Sequence, residues 1–143
     1  MTTTPDWFIW AAMSAGFAAL TAIFAKVGIS GIDSDLATLV RTLVIVALLS
    51  MFVWLTGKWT NPLALPSRSL VFLGLSAAAT GASWVCYFRA LQIGEASQVA
   101  PIDKLSMPLS ILLAVLVLHE RPSGINWAGI GMMVVGAYLV AHK

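Results

Sequence analysis

The sequence predicts an all-α integral membrane protein with five transmembrane helices. Three observations lead there. Of the 143 residues, 59% are hydrophobic and only 10% are charged, whereas an ordinary soluble domain carries about 25% charged residues. So few charges cannot cover a globule in water. The apolar residues fall in five runs, each near the length of about 20 residues that crosses the hydrocarbon core. Short polar segments carrying helix starts and stops separate the runs. The length suits one domain over residues 1–143, with no internal repeat or low-complexity segment.

The first helix is expected over residues 7–29, opened by Pro5 and Asp6. No Lys or Arg precedes it, so it reads as a retained span and not as a cleavable signal peptide. The second is expected over residues 36–56, capped by Ser34 or Asp35. The polar stretch GKWTNPLALPSRS follows as the only long connection. The third helix is expected over residues 70–91 and the fourth over residues 96–118. HERPSG makes the next turn, and the fifth helix covers residues 125–141.

An odd number of spans puts the termini on opposite sides of the membrane, the N-terminus on side A and the C-terminus on side B. Lys58, Arg68 and Arg121 lie near side A; Lys26, Arg89 and Lys143 lie near side B, with Arg41 and Lys104 set back inside helices. Orientation follows Lys/Arg asymmetry in short loops, and here the two sides balance. The chain is therefore expected to insert both ways and to form an antiparallel homodimer, with the inverted symmetry of many transporters. One weak bias winning, with all copies parallel, is the alternative. Small residues that allow close helix approach form stripes: Ala11, Ala15, Ala18, Ala22 and Ala25 on the first helix, Gly74, Ala78 and Gly81 on the third, Gly129 and Gly136 on the fifth. The terminal fifth helix, which carries no charge, is the better dimer candidate.

One segment breaks the apolar pattern. VAPIDKLSMPLS places Asp103 and Lys104 side by side between Pro101 and Pro108, within a run bound for lipid. A charge at a helix centre costs about 2.5–3.5 kcal/mol on insertion scales, and an interior proline removes a hydrogen bond and kinks the helix. Arg41 lies about 9 Å and Asp103–Lys104 about 10 Å from side B, at 1.5 Å per residue. Asp103 thus has Arg41 and Lys104 as candidate partners, either as a structural ion pair or in a water-filled pathway. Pro101 and Pro108 are the candidate kink or gate. Lys26 and Arg89, at helix ends, are expected to snorkel. Trp84 and Tyr87, with Thr80 a turn earlier, form a polar-aromatic stripe toward the same half. Trp10, Ser14, Phe17 and Thr21 form another. Trp7, Trp54, Trp59 and Trp127 suit interfacial belts.

Other classes lack their signatures. Cys86 is alone, so no intramolecular disulfide can form. His119 and His142 have no metal-ligand spacing, no Ser or Thr has a His base near it in sequence, and the glycines form no phosphate-cradling loop. No basic run suggests nucleic acid, and neither an enzyme nor a cofactor is expected.

The stretch PLSILLAVLVLHERPSGINWAGIGMMVVGAYLVA resembles the end of an EamA domain, the repeat unit of the drug/metabolite transporter superfamily. The matching marks are Pro108, Glu120, Gly129 and Gly136. YFRALQIGEASQVAP is similar to the family's junction between third and fourth helices. Usual members carry two such domains in inverted orientation; this chain has one, so the resemblance implies that two copies replace the internal duplication. The expected location is a bacterial or archaeal cytoplasmic (inner) membrane, with the chain crossing it several times. The charged pair is not a general family mark and leaves the substrate open. The expected function is secondary transport of a small polar metabolite by alternating access, with Asp103, Lys104 and Arg41 lining or gating the pathway. The deep charges sum to one positive, which favours an anion or a zwitterion such as an amino acid. Asp103 is the natural carrier if transport is proton-coupled. One alternative is a cation or drug exporter of the small multidrug resistance kind. Those proteins rely on a glutamate within the first helix, which here has no acidic residue after Asp6. Another is a non-transporting membrane subunit or half-transporter partner.

Overall fold

The computed structural model describes residues 6–61 and 64–142. Pro5 and Lys143 lie outside the described residues. The elements are all helical: α1 (Asp6–Gly28), α2 (Ser34–Leu55), α3 (Ser67–Ile93), α4 (Ala96–Asp103), α5 (Ser106–Val117) and α6 (Gly124–Ala141). Among the described residues there is no strand. Five spans are long and apolar enough to cross a membrane, α4 and α5 together making the fourth, Ala96–Val117. The chain divides into two compact units, Met1–Lys26 with Ile93–Lys143, and Val27–Gln92.

Local chemistry explains where the helices start and stop. Asp33 is the N-cap of α2, its Oδ1 accepting from the backbone N–H of Asp35 at 2.9 Å and of Leu36 at 3.1 Å. The cap therefore precedes the expected Ser34 or Asp35, and the carboxylate of Asp35 is left for another role. At the far end Gly57, in the left-handed region at φ 66°, closes α2. Its N–H bonds the Trp54 carbonyl at 3.0 Å, and the Lys58 N–H reaches Val53 at 3.1 Å. That is the paired bonding of a Schellman motif, which favours glycine because it has no Cβ. The N-cap of α6 is Ser123, whose hydroxyl accepts from the Asn126 N–H at 3.4 Å.

The fourth span was expected as one helix and is two. Pro108 has no N–H to give the Lys104 carbonyl four residues back, and its ring crowds that carbonyl. The chain turns instead: Leu105 N–H bonds Ile102 and Met107 N–H bonds Lys104, both at 3.0 Å. These tighter bonds between residues three apart separate α4 from α5. Within the first unit both halves run against α6.

The described buried residues are Ala22, Ala25 and Ile29 at the end of α1, Ser34, Ala37 and Thr38 at the start of α2, Phe88 and Leu91 toward the end of α3, and Ala137 toward the end of α6. The alanine stripe of α1 changes along its length, Ala11 and Ala15 exposed and Ala22 and Ala25 buried. A Cβ added at Gly74, Gly81, Gly129 or Gly136 would meet no atom within 4 Å. Within its own unit, each of those four glycines is thus open to a neighbour among the described residues.

Candidate functional site

In the Val27–Gln92 unit, long side chains join α2 to α3. Arg89, in the last turns of α3, donates to both oxygens of Asp35 in the first turn of α2, from Nε at 3.0 Å and from Nη2 at 2.6 Å. Gln92 Nε2 donates to the Ile32 carbonyl just before α2 at 2.9 Å. Arg89 thus has a fixed partner rather than merely reaching for the interface. The pair is well exposed, so salt and water weaken it.

Two turns into α2, the guanidinium carbon of Arg41 lies 4.4 Å from the ring centroid of Trp84 and 5.4 Å from that of Phe88. Trp84 and Phe88 stand four residues apart on α3 and so share a face. The negative face of an aromatic ring attracts a cation, more strongly when water is excluded. Arg41 is half-buried and Phe88 fully buried. Tyr87 is half-buried, its ring edge-on to Phe88 at 6.3 Å. Thr38 and Thr42 line the same end of α2, each donating its hydroxyl to the carbonyl four residues back, at 2.8 and 2.7 Å. Both polar hydrogens are thereby satisfied inside the helix.

The second polar centre is in the other unit, at the break in the fourth span. Lys104 Nζ lies 3.3 Å from Asp103 Oδ2. The side chains are 51% and 33% exposed, respectively. Lys104 is also the C-cap of α4, where a positive charge suits the unpaired helix carbonyls. Pro101 lies inside α4 and Pro108 in the first turn of α5. Lys26 donates to the Gly94 carbonyl at 2.8 Å, so it reaches the carbonyl that follows α3 instead of only snorkelling. Ser14 is exposed on α1, and the Thr21 hydroxyl donates to the Phe17 carbonyl at 2.9 Å.

Of the residues singled out in the sequence, the structure brings together Arg41 with Trp84, and Asp103 with Lys104. Phe88, Asp35 and Gln92 were missed. Phe88 was legible as the residue one turn beyond Trp84. Asp35 was hidden by its role as a candidate cap. Among the described residues no three His, Cys, Asp or Glu side chains gather as a metal site.

Comparison with known proteins adds to this geometry. Residues 6–142 match the EamA-like transporter family. A protein of Sinorhizobium sp, described as an uncharacterized transporter in cobO 3'region, is 50% identical over 136 residues, which cover 95% of this chain and 96% of that protein. No solved structure matches the chain.

Proposed function

The chain belongs to the EamA-like transporter family and is an integral membrane transporter; from that premise we propose that it works as a dual-topology homodimer. In this reading it moves a small polar anion or zwitterion by alternating access, and Asp103, Lys104 and Arg41 line or gate the pathway in each protomer. The observation that carries the reading is the break of the fourth span at the charged pair. Non-helical backbone at membrane depth is tolerated where protein buries it or water reaches it. Interrupted helices of this kind form substrate sites in many secondary transporters. The balance of Lys and Arg supports insertion in both orientations. The Sinorhizobium relative, described as a transporter, is itself covered to 96% by the match, which supports a transporter built from one such domain. The four open glycines are suited to close approach by a second copy.

The test is flux. Purified protein, reconstituted alone into proteoliposomes, should accumulate or release a labelled amino acid or organic acid, with Asp103→Asn and Arg41→Gln reducing the rate. Absence of flux alone, with flux restored by a co-reconstituted related half-transporter, would identify a heteromeric subunit instead.

A further inference from the structure

Asp103 has Lys104 beside it, and Asp35 has Arg89. Arg41 differs. Within the Val27–Gln92 unit no described carboxylate or hydrogen-bond acceptor engages its guanidinium, which rests on the rings of Trp84 and Phe88. An aromatic ring meets the cation through its charge and leaves the N–H groups without a strong acceptor. A guanidinium has five such donors in a rigid planar fork. An unpaired cation within a membrane span is costly, and the rings offset only part of that. Asp103 and Lys104 neutralise each other, so the positive charge in excess among the deep residues is that of Arg41.

We propose that Arg41 is a carboxylate-binding residue, taking the carboxylate of a monoanionic or zwitterionic solute on the N–H fork that Trp84 and Phe88 leave open. The proposal rests on the transport reading and names the chemistry its substrate must carry. Two parallel N–H donors match the two oxygens of a carboxylate in one plane. A single fixed cation balances one negative charge, whereas a phosphate dianion would bring an unmatched charge into the span. The two rings set the guanidinium's position, so a lysine, with its compact ammonium on a flexible stem, would keep the charge but lose the fork.

Labelling of Arg41 tests this on the purified full chain in an uncharged detergent. Phenylglyoxal attacks guanidinium groups, and peptide mass spectrometry reads modification at Arg41 separately from the other arginines. Arg41 should react. With a Kd of about 1 mM, about 10 mM benzoate should slow the reaction about tenfold, while benzamide of the same shape should not. The rise in thermal stability given by benzoate should vanish in Arg41→Lys and persist in Arg68→Lys. Equal protection by benzamide, protection only by inorganic phosphate or by added phosphatidylglycerol, or an Arg41 inert without any ligand would each overturn the proposal. Protection at Arg41 without flux in proteoliposomes would instead sink the transport reading and leave the carboxylate site standing. Flux without protection would do the reverse.

Discussion

Arg89 holds both carboxylate oxygens of Asp35, at 3.0 and 2.6 Å, across 54 residues of sequence. The contact exists because Asp33, two residues earlier, already caps α2. One acidic side chain satisfies the helix start and the next is released toward α3. With the Gln92 bond to the Ile32 carbonyl, this grip holds the end of α3 against the start of α2. It thereby fixes the register in which Trp84 and Phe88 meet Arg41.

A charge reversal tests that positioning role. Asp35→Arg should lower the melting temperature in detergent and the rate of transport, because two arginines would then face each other. Adding Arg89→Asp to the same protein should recover both. Failure of the double variant to recover either property would mean that the pair does not position the α2–α3 contact.

The break at Lys104 has a single named cause, Pro108, so it can be removed. Pro108→Ala restores an N–H opposite the Lys104 carbonyl and should join α4 to α5. A continuous span gains the backbone bond that proline forbids, so thermal stability should rise while transport falls. A more stable variant with undiminished flux would show that the break is not a moving part.

Asp103 and Lys104 are partly exposed, and ion pairs with access to solvent contribute only about 0–1 kcal/mol. Asp103→Asn should therefore fold and assemble normally but lose transport. In a Cys86→Ser background, Ile102→Cys and Ser106→Cys should react with a water-soluble thiol reagent far faster than Leu113→Cys. A fully active Asp103→Asn protein, or uniform inertness of the cysteines, would reduce the pair to a structural clamp.

Reporter fusions at the C-terminus read orientation directly. Balanced Lys and Arg predict signal on both sides of the membrane, and two or three added lysines around Lys58 should push insertion toward one side. Signal from one side only in the unmodified chain would remove dual insertion.

His119 ends α5 with φ 56°, and the following Glu120 N–H bonds back to the Ala114 carbonyl at 3.3 Å. A side chain in the left-handed region costs about 1–2 kcal/mol. His119→Gly should therefore raise stability by about 1 kcal/mol, read as an increase in melting temperature with flux unchanged. A drop would mean that the imidazole itself holds the turn.

Much of this protein could be read from the chain alone, because the bilayer imposes a local test. A span needs about 20 apolar residues and internally bonded backbone, and both are properties of contiguous sequence. The five spans, the two prolines that disturb the fourth and the embedded charges were legible for that reason. Even the break at Lys104 is local, set by Pro108 acting four residues back. Lys104 was legible as a candidate partner of Asp103, but the partners distant in sequence were not. Asp35 and Arg89 lie 54 residues apart, and Lys26 and Gly94 lie 68 apart. Depth along a helix says only which groups are level, not which faces meet. Tertiary structure decided that Arg41 rests on Trp84 and Phe88. The reason is physical: a helix turns about 100° per residue, so one residue of rotation changes the partner of every side chain without changing the hydropathy that placed the span.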